Sequence, residues 1–321
     1  MAETREPSQE GDRLISRAEA KIAAKDFMGA LEDFRRALKL LPGDARAEFG
    51  ATMASMALRE EFNAIMAATR RTENPGDIEA TLKLADARRR NGKITEAIEV
   101  LEEAVAQAPE EARTHFELAL TLSCWSKDHE AALPHFDRAL ALDPKFGRAL
   151  SFRAISRREL GRYAEAVADF NVLQRLQPND RTVYENRALA LEGLGDHVGA
   201  ELDYTWVLDR SRESWFYHTR RGFCRLAQDR LAEAIEDFDR ALALRVEEGL
   251  RWYDPEDDPD GTGPDPNYYP EALWGRGLAR IKRGELEAAR ADLRAAVATF
   301  RCCGKAADAD EAAALLEGLH D

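Results

Sequence analysis

Along this chain the apolar positions fall into short helical runs separated by breakers. Arg148 to Leu160 holds no Pro or Gly and reads as a helix; Gly161-Arg162 breaks it. Tyr163 to Leu176 reads as a second helix, which Pro178, Asn179 and Asp180 end. Two helices joined by so short a turn lie antiparallel, and residues equidistant from the turn sit at one height. The layout then returns at a constant step. Arg153-Ala154, Arg187-Ala188 and Arg221-Gly222 stand 34 residues apart, as do Ala166, Ala200 and Ala234, and the pairs Asp169-Phe170, Asp203-Tyr204 and Asp237-Phe238. A single hairpin cannot bury its own apolar faces, so a fixed period of about 34 residues predicts a stack of helix pairs.

With Gly147 as position 1, small residues stand at positions 8 (Ala154) and 20 (Ala166), an aromatic at 24 (Phe170) and Pro at 32 (Pro178). This pattern resembles the tetratricopeptide repeat, from which Leu173 at position 27 departs by its size. The resemblance implies an all-α, right-handed superhelical solenoid of antiparallel helix pairs, with the first helix of each pair lining a concave groove. It implies no reaction.

Read in order, residues 1–10 are polar and predict a disordered lead-in. Repeats follow at 11–44, 45–77, 78–111, 112–146, 147–180, 181–214 and 215–245. The second is degenerate: Asn63 replaces the expected Ala and the aromatic is missing, though its composition stays helical and Pro75 closes it. The fourth carries one extra residue around Trp125-Ser126-Lys127. The rhythm then stops for an acidic, Pro-rich insertion at 246–269 and resumes at 270–301. An Ala-, Leu- and Glu-rich stretch within 302–321 predicts a helix that caps the apolar end of the stack.

Positions 7 and 23 vary together. Arg17 and Asp33, Arg153 and Asp169, Arg187 and Asp203, Arg221 and Asp237, and Arg276 and Asp292 occupy them in five repeats, whereas the third repeat has Leu84 and Val100. Both positions are equidistant from the turn at 15, which predicts a salt bridge within a repeat or to its neighbour.

Composition narrows the function. The net charge is −14, and an acidic chain is poorly suited to neutralising phosphates, so no nucleic-acid partner is expected. The N-terminus lacks the apolar run of a signal peptide, and no segment reaches the ~18 apolar residues of a membrane span. Cys124, Cys224, Cys302 and Cys303 form no Cys-x-x-Cys pair, which fits a cytoplasmic protein with reduced thiols. No metal, cofactor or catalytic constellation is expected. His129-Glu130 lacks the second His of a zinc-protease motif, and Gly275-Arg276-Gly277 lacks the strand and third glycine of a nucleotide loop. Glu256, Asp258 and Asp260 precede Gly261 as in a calcium loop, but the twelfth position is Asn267 rather than Glu, so the insertion reads as a solvated linker.

The resemblance implies that positions 2, 5, 6, 9, 12 and 13 of each first helix line the groove. They nominate Arg148, Phe152, Arg158, Asn186, Phe216, Arg220, Phe223 and Trp274 as partner-binding residues. Aromatic side chains and Arg are common interface anchors, and Asn can bond a peptide backbone with both donor and acceptor. One specialised form of the family clamps a C-terminal carboxylate. Arg148 and Asn186 fall at positions of that kind, but Phe152 stands where a basic residue is needed, so the clamp is incomplete. The expectation is a non-enzymatic scaffold or adaptor that binds a peptide or partner protein. The alternative is a structural repeat protein that assembles with itself as a homo-oligomer.

Overall fold

The structure, a computed structural model, describes residues 5–74, 76–210, 214–247 and 270–319. Among these residues there are helices and no strands. They form two compact units, Met1–Pro144 and Lys145–Asp321. The first holds α1 (Arg5–Ala23), α2 (Phe27–Leu40), α3 (Ala45–Glu73), α4 (Ile78–Arg90), α5 (Ile94–Gln107), α6 (Ala112–Cys124) and α7 (His129–Leu142). The second holds α8 (Gly147–Glu159), α9 (Tyr163–Leu176), α10 (Arg181–Leu194), α11 (His197–Arg210), α12 (Trp215–Ala227), α13 (Leu231–Glu247), α14 (Glu271–Arg283), α15 (Leu286–Cys302) and α16 (Ala306–Glu317). Within each unit every helix packs on its neighbours in sequence, and first helices of successive hairpins also meet, as α8 meets α10 and α12 meets α14. This is the all-α solenoid of antiparallel helix pairs that the repeat predicts.

Local chemistry starts and stops the helices. Asp26, Asp44, Asp77, Asp128 and Asp180 precede helices, and each accepts a hydrogen bond from a first-turn backbone N–H. At the hairpin turn the backbone enters the left-handed region: Gly161 has φ 72° and Gly195 has φ 83°, a conformation that glycine adopts without strain. Inside the hairpins Ala18, Ala30, Ala154, Ala166, Ala188 and Ala200 are fully buried, and so are the aromatics Phe34, Phe136, Phe170, Tyr204 and Phe238 beside them. Position 8 of the seventh repeat is Gly222 for a steric reason: a Cβ there would lie 2.8 Å from the ring of Phe238.

The five Arg–Asp pairs form inside their own repeats, each as a two-pronged fork. Nε and Nη2 of Arg187 lie 2.8 and 2.6 Å from the carboxylate of Asp203. The forks Arg17–Asp33, Arg153–Asp169, Arg221–Asp237 and Arg276–Asp292 are equivalent. In three of the five, the remaining Nη1 reaches position 25 of the preceding repeat. Arg187 donates to Asn171 at 2.8 Å, Arg221 to Thr205 at 3.3 Å and Arg276 to Asp239 at 2.5 Å. One side chain therefore closes its own hairpin and ties it to the one before.

Three features depart from the sequence reading. Helix α1 begins at Arg5, inside the expected lead-in, and α13 runs to Glu247, past the expected end of its repeat. The rest of the acidic insertion, with its calcium-loop spacing, lies outside the described residues. The expected helix–turn–helix of residues 45–77 is instead one 29-residue helix, α3. Between Ala45 and Glu73 the chain has no Pro and a single glycine, Gly50, which the ring of Phe34 covers. With no breaker at the turn position, nothing stops the helix from propagating.

Candidate functional site

The second unit contains a cleft of about 670 Å³ between the C-terminal halves of α8, α10 and α12. It gathers Arg158 from α8, Leu189 and Glu192 from α10, and Arg220 and Phe223 from α12; Tyr163 and His197, which open the second helices α9 and α11, close one side. Residues three apart on a helix are about one turn apart, so Leu189 with Glu192 (positions 9 and 12) and the next repeat's Arg220 with Phe223 (positions 6 and 9) face one space.

The charges in the cleft are partly committed. Arg158 donates to Asn186 Oδ1 at 2.9 Å and to Glu159 at 2.7 Å. Asn186 in turn donates to the carbonyl of Thr182 at 2.8 Å. Its oxygen and one amide hydrogen are thus used inside the protein, and Asn186 positions Arg158. Arg220 pairs with Glu192 across the cleft, and its Nε is buried without a partner. Burial lowers the pKa of Arg220 from the usual guanidinium value, and the Glu192 carboxylate is its charge partner. Cys224, behind Glu192, is pushed up to about 12 by burial. It therefore stays a thiol at neutral pH.

The other nominated residues lie elsewhere. Arg148 is exposed and Phe152 half-buried, both on α8. Phe216 is exposed on α12 and meets Tyr217 edge-on, with ring centroids 5.3 Å apart. Trp274 on α14 packs between Phe223 and Phe300, at 6.0 and 6.3 Å, and joins the core cluster of the last two hairpins. Phe223 itself lies edge-on to Phe238 at 5.1 Å while bordering the cleft. Sequence reasoning did not single out Glu192, Tyr163 and His197. The signal existed: Glu192 occupies position 12, and Tyr163 and His197 both occupy position 17 of successive repeats.

Two family models of the tetratricopeptide repeat match the chain, over residues 77–145 and 126–181. Protein FlbA of Caulobacter vibrioides is 33% identical over 181 residues, which is 55% of this chain and 30% of that protein. The chain thus spans less than a third of that relative's length. Among solved structures, the Cut9–Hcn1 hetero-tetramer of APC/C is similar over 99% of this chain and 56% of that one, with a TM-score of 0.51 at 12% identity. MamA residues 41 to the end, from Desulfovibrio magneticus RS-1, is similar over 53% of this chain and 96% of that one, with a TM-score of 0.51 at 20% identity. These likenesses are likenesses of fold.

Proposed function

Because the chain is a tetratricopeptide-repeat protein, we propose that it is a non-enzymatic scaffold that holds a peptide or partner protein in the cleft of α8, α10 and α12. One observation carries the reading: the Arg220 guanidinium, its Nε buried and unpartnered, borders an open space walled by Leu189 and Phe223. An extended segment with an acidic or carbonyl group for Arg220 and an apolar side chain for Phe223 suits that space. Arg158, steadied by Asn186, supplies a second cation. The net charge of −14 argues against nucleic acid as the ligand. All four cysteines are free, which supports a cytoplasmic setting.

The test is capture from a lysate of the source cell with the wild type and with Arg158→Ala/Arg220→Ala, after both show the same helical melting curve. A protein held by the wild type and released by the variant supports the cleft. Equal capture by both moves the site elsewhere.

A further inference from the structure

Helix α3 reverses the usual distribution of side chains. Among its described side chains the buried positions are Ala47, Gly50, Ala54 and Ala67, whereas Phe49, Met53, Met56, Phe62, Ile65 and Met66 are exposed, Phe49 to 70% and Phe62 to 61%. Its length explains the reversal. The hairpin helices of 13 or 14 residues span about 20 Å, while 29 residues span about 43 Å at ~1.5 Å per residue. The second half of α3 takes the place of a helix that would have folded back to cover it. Large apolar side chains clustered on one helix mark a contact surface, and unbranched Met adapts to varied partners.

The cleft between α2 and α3, about 450 Å³, adds a chemical preference. Leu31, Leu38, Ala51 and Met56 make it apolar, and Arg35 and Arg59 line it as well. Arg46 pairs with Glu19 and Arg90 with Glu60, whereas Arg36, outside the cleft lining, is unpaired within the described residues. Arg35 and Arg59 form no ion pair or hydrogen bond within the described residues. From Arg59 the stripe continues at steps of three and four through Phe62 and Met66, which keeps it on one helical face. Two unpaired cations in an apolar cleft that runs into a Phe/Met stripe call for a ligand with carboxylates beside apolar anchors. The stripe's helical spacing matches a partner that presents anchors at the same spacing.

We propose that the α2–α3 cleft and the adjoining face of α3 dock an acidic amphipathic helix of a partner protein. Its carboxylates meet Arg35 and Arg59, and its apolar residues seat on Met56, Phe62 and Met66. This surface is separate from the cleft of the second unit, and either assignment stands without the other.

The probe is a displayed library of random 20-residue peptides, selected on the full chain and counter-selected on Arg35→Glu/Arg59→Glu/Phe62→Asp. A milder variant, Arg35→Gln/Arg59→Gln, guards against misfolding, and melting curves are matched first. The expected result is enrichment of peptides with net negative charge and apolar residues at i, i+3 or i+4 and i+7. Their affinity should fall at least about tenfold in the Gln variant, as loss of complementary charge predicts. Enrichment of neutral or basic peptides, or no enrichment dependent on these side chains, overturns the proposal. So does a dimer in light scattering that the variants abolish, which would make the face a contact between copies. Sedimentation with anionic vesicles that the variants abolish overturns it in favour of a lipid surface.

Discussion

Leu84 and Val100 in the first unit and Arg187 and Asp203 in the second occupy equivalent places in their hairpins. Both pairs sit between antiparallel helices, and Leu84, Val100 and Asp203 are buried. The apolar pair belongs to a cluster with Ala85, Leu101 and Leu118 and is indifferent to direction. The ionic pair is directional: two prongs of Arg187 close the hairpin, and its third nitrogen bonds Asn171 of the repeat before. A buried ion pair is weak as a source of net stability, because desolvation offsets much of the attraction. What the ladder contributes in the second unit is alignment of one hairpin on the next. Helix α3, where positions 7 and 23 carry neither Arg nor Asp and the hairpin itself is absent, lies in the unit that largely lacks the ladder.

The largest effect that tests this contrast is Arg187→Ala. It leaves Asp203 buried with no second cation, since Leu191 stands where the other repeats have Arg157, Arg225 and Arg280. The expected cost is ~3 kcal/mol in urea unfolding. In Arg153→Ala the carboxylate of Asp169 keeps Arg157 at 2.8 Å, so the loss should be about half as large. Equal losses in the two variants would show that the second cation does not matter.

Acid unfolding separates the pairs further. The hydrogen bond from Arg17, with Lys21 alongside, holds Asp33 at about 2, below its ordinary 3.8. Its contribution to stability is complete above 3.8 and is lost as pH falls towards 2. Burial pushes Asp203 in the opposite direction, and its one guanidinium offsets this only in part. The folded state then takes up that proton first, so this group adds stability as pH falls through its raised pKa towards 3.8. Asp33→Asn should therefore flatten the acid arm of the stability curve, and Asp203→Asn should steepen it. The same sign of change in both variants would break the distinction.

The smallest expected effect comes from moving one solution into the other setting. Arg187→Leu/Asp203→Val imports the apolar pair of the third repeat. It should recover most of what Arg187→Ala loses and end within ~1 kcal/mol of wild type. Hydrogen exchange at the α9–α10 contact should nevertheless rise, because the bond to Asn171 is gone. Unchanged exchange would remove the alignment role.

Much of the fold was legible because it rests on short-range rules. Gly161 and Gly195 turn the chain, Asp180 caps α10, and Ala154 with Ala166 permits close approach; each acts within one hairpin. Far less of the candidate site was legible. Register placed Arg158, Arg220 and Phe223 on first helices, but not Asn186's commitment to Arg158 and Thr182, nor Trp274's packing against the last core. Those outcomes depend on which side chain reaches which across neighbouring helices.

By itself, then, the sequence determined the period, the hairpins and the co-variation of positions 7 and 23, since each is set by residues in one repeat. Tertiary structure decided the rest. It sent the fork of each Arg to its own Asp, and the third nitrogen of Arg187, Arg221 and Arg276 to position 25 of the preceding repeat. It left α3 unbroken, with its phenylalanines and methionines outward, and it gathered two arginines around each cleft. Position 25 recurs with the repeat, but its residues differ in type (Asn171, Thr205, Asp239), so only packing selects among the partners that register makes available.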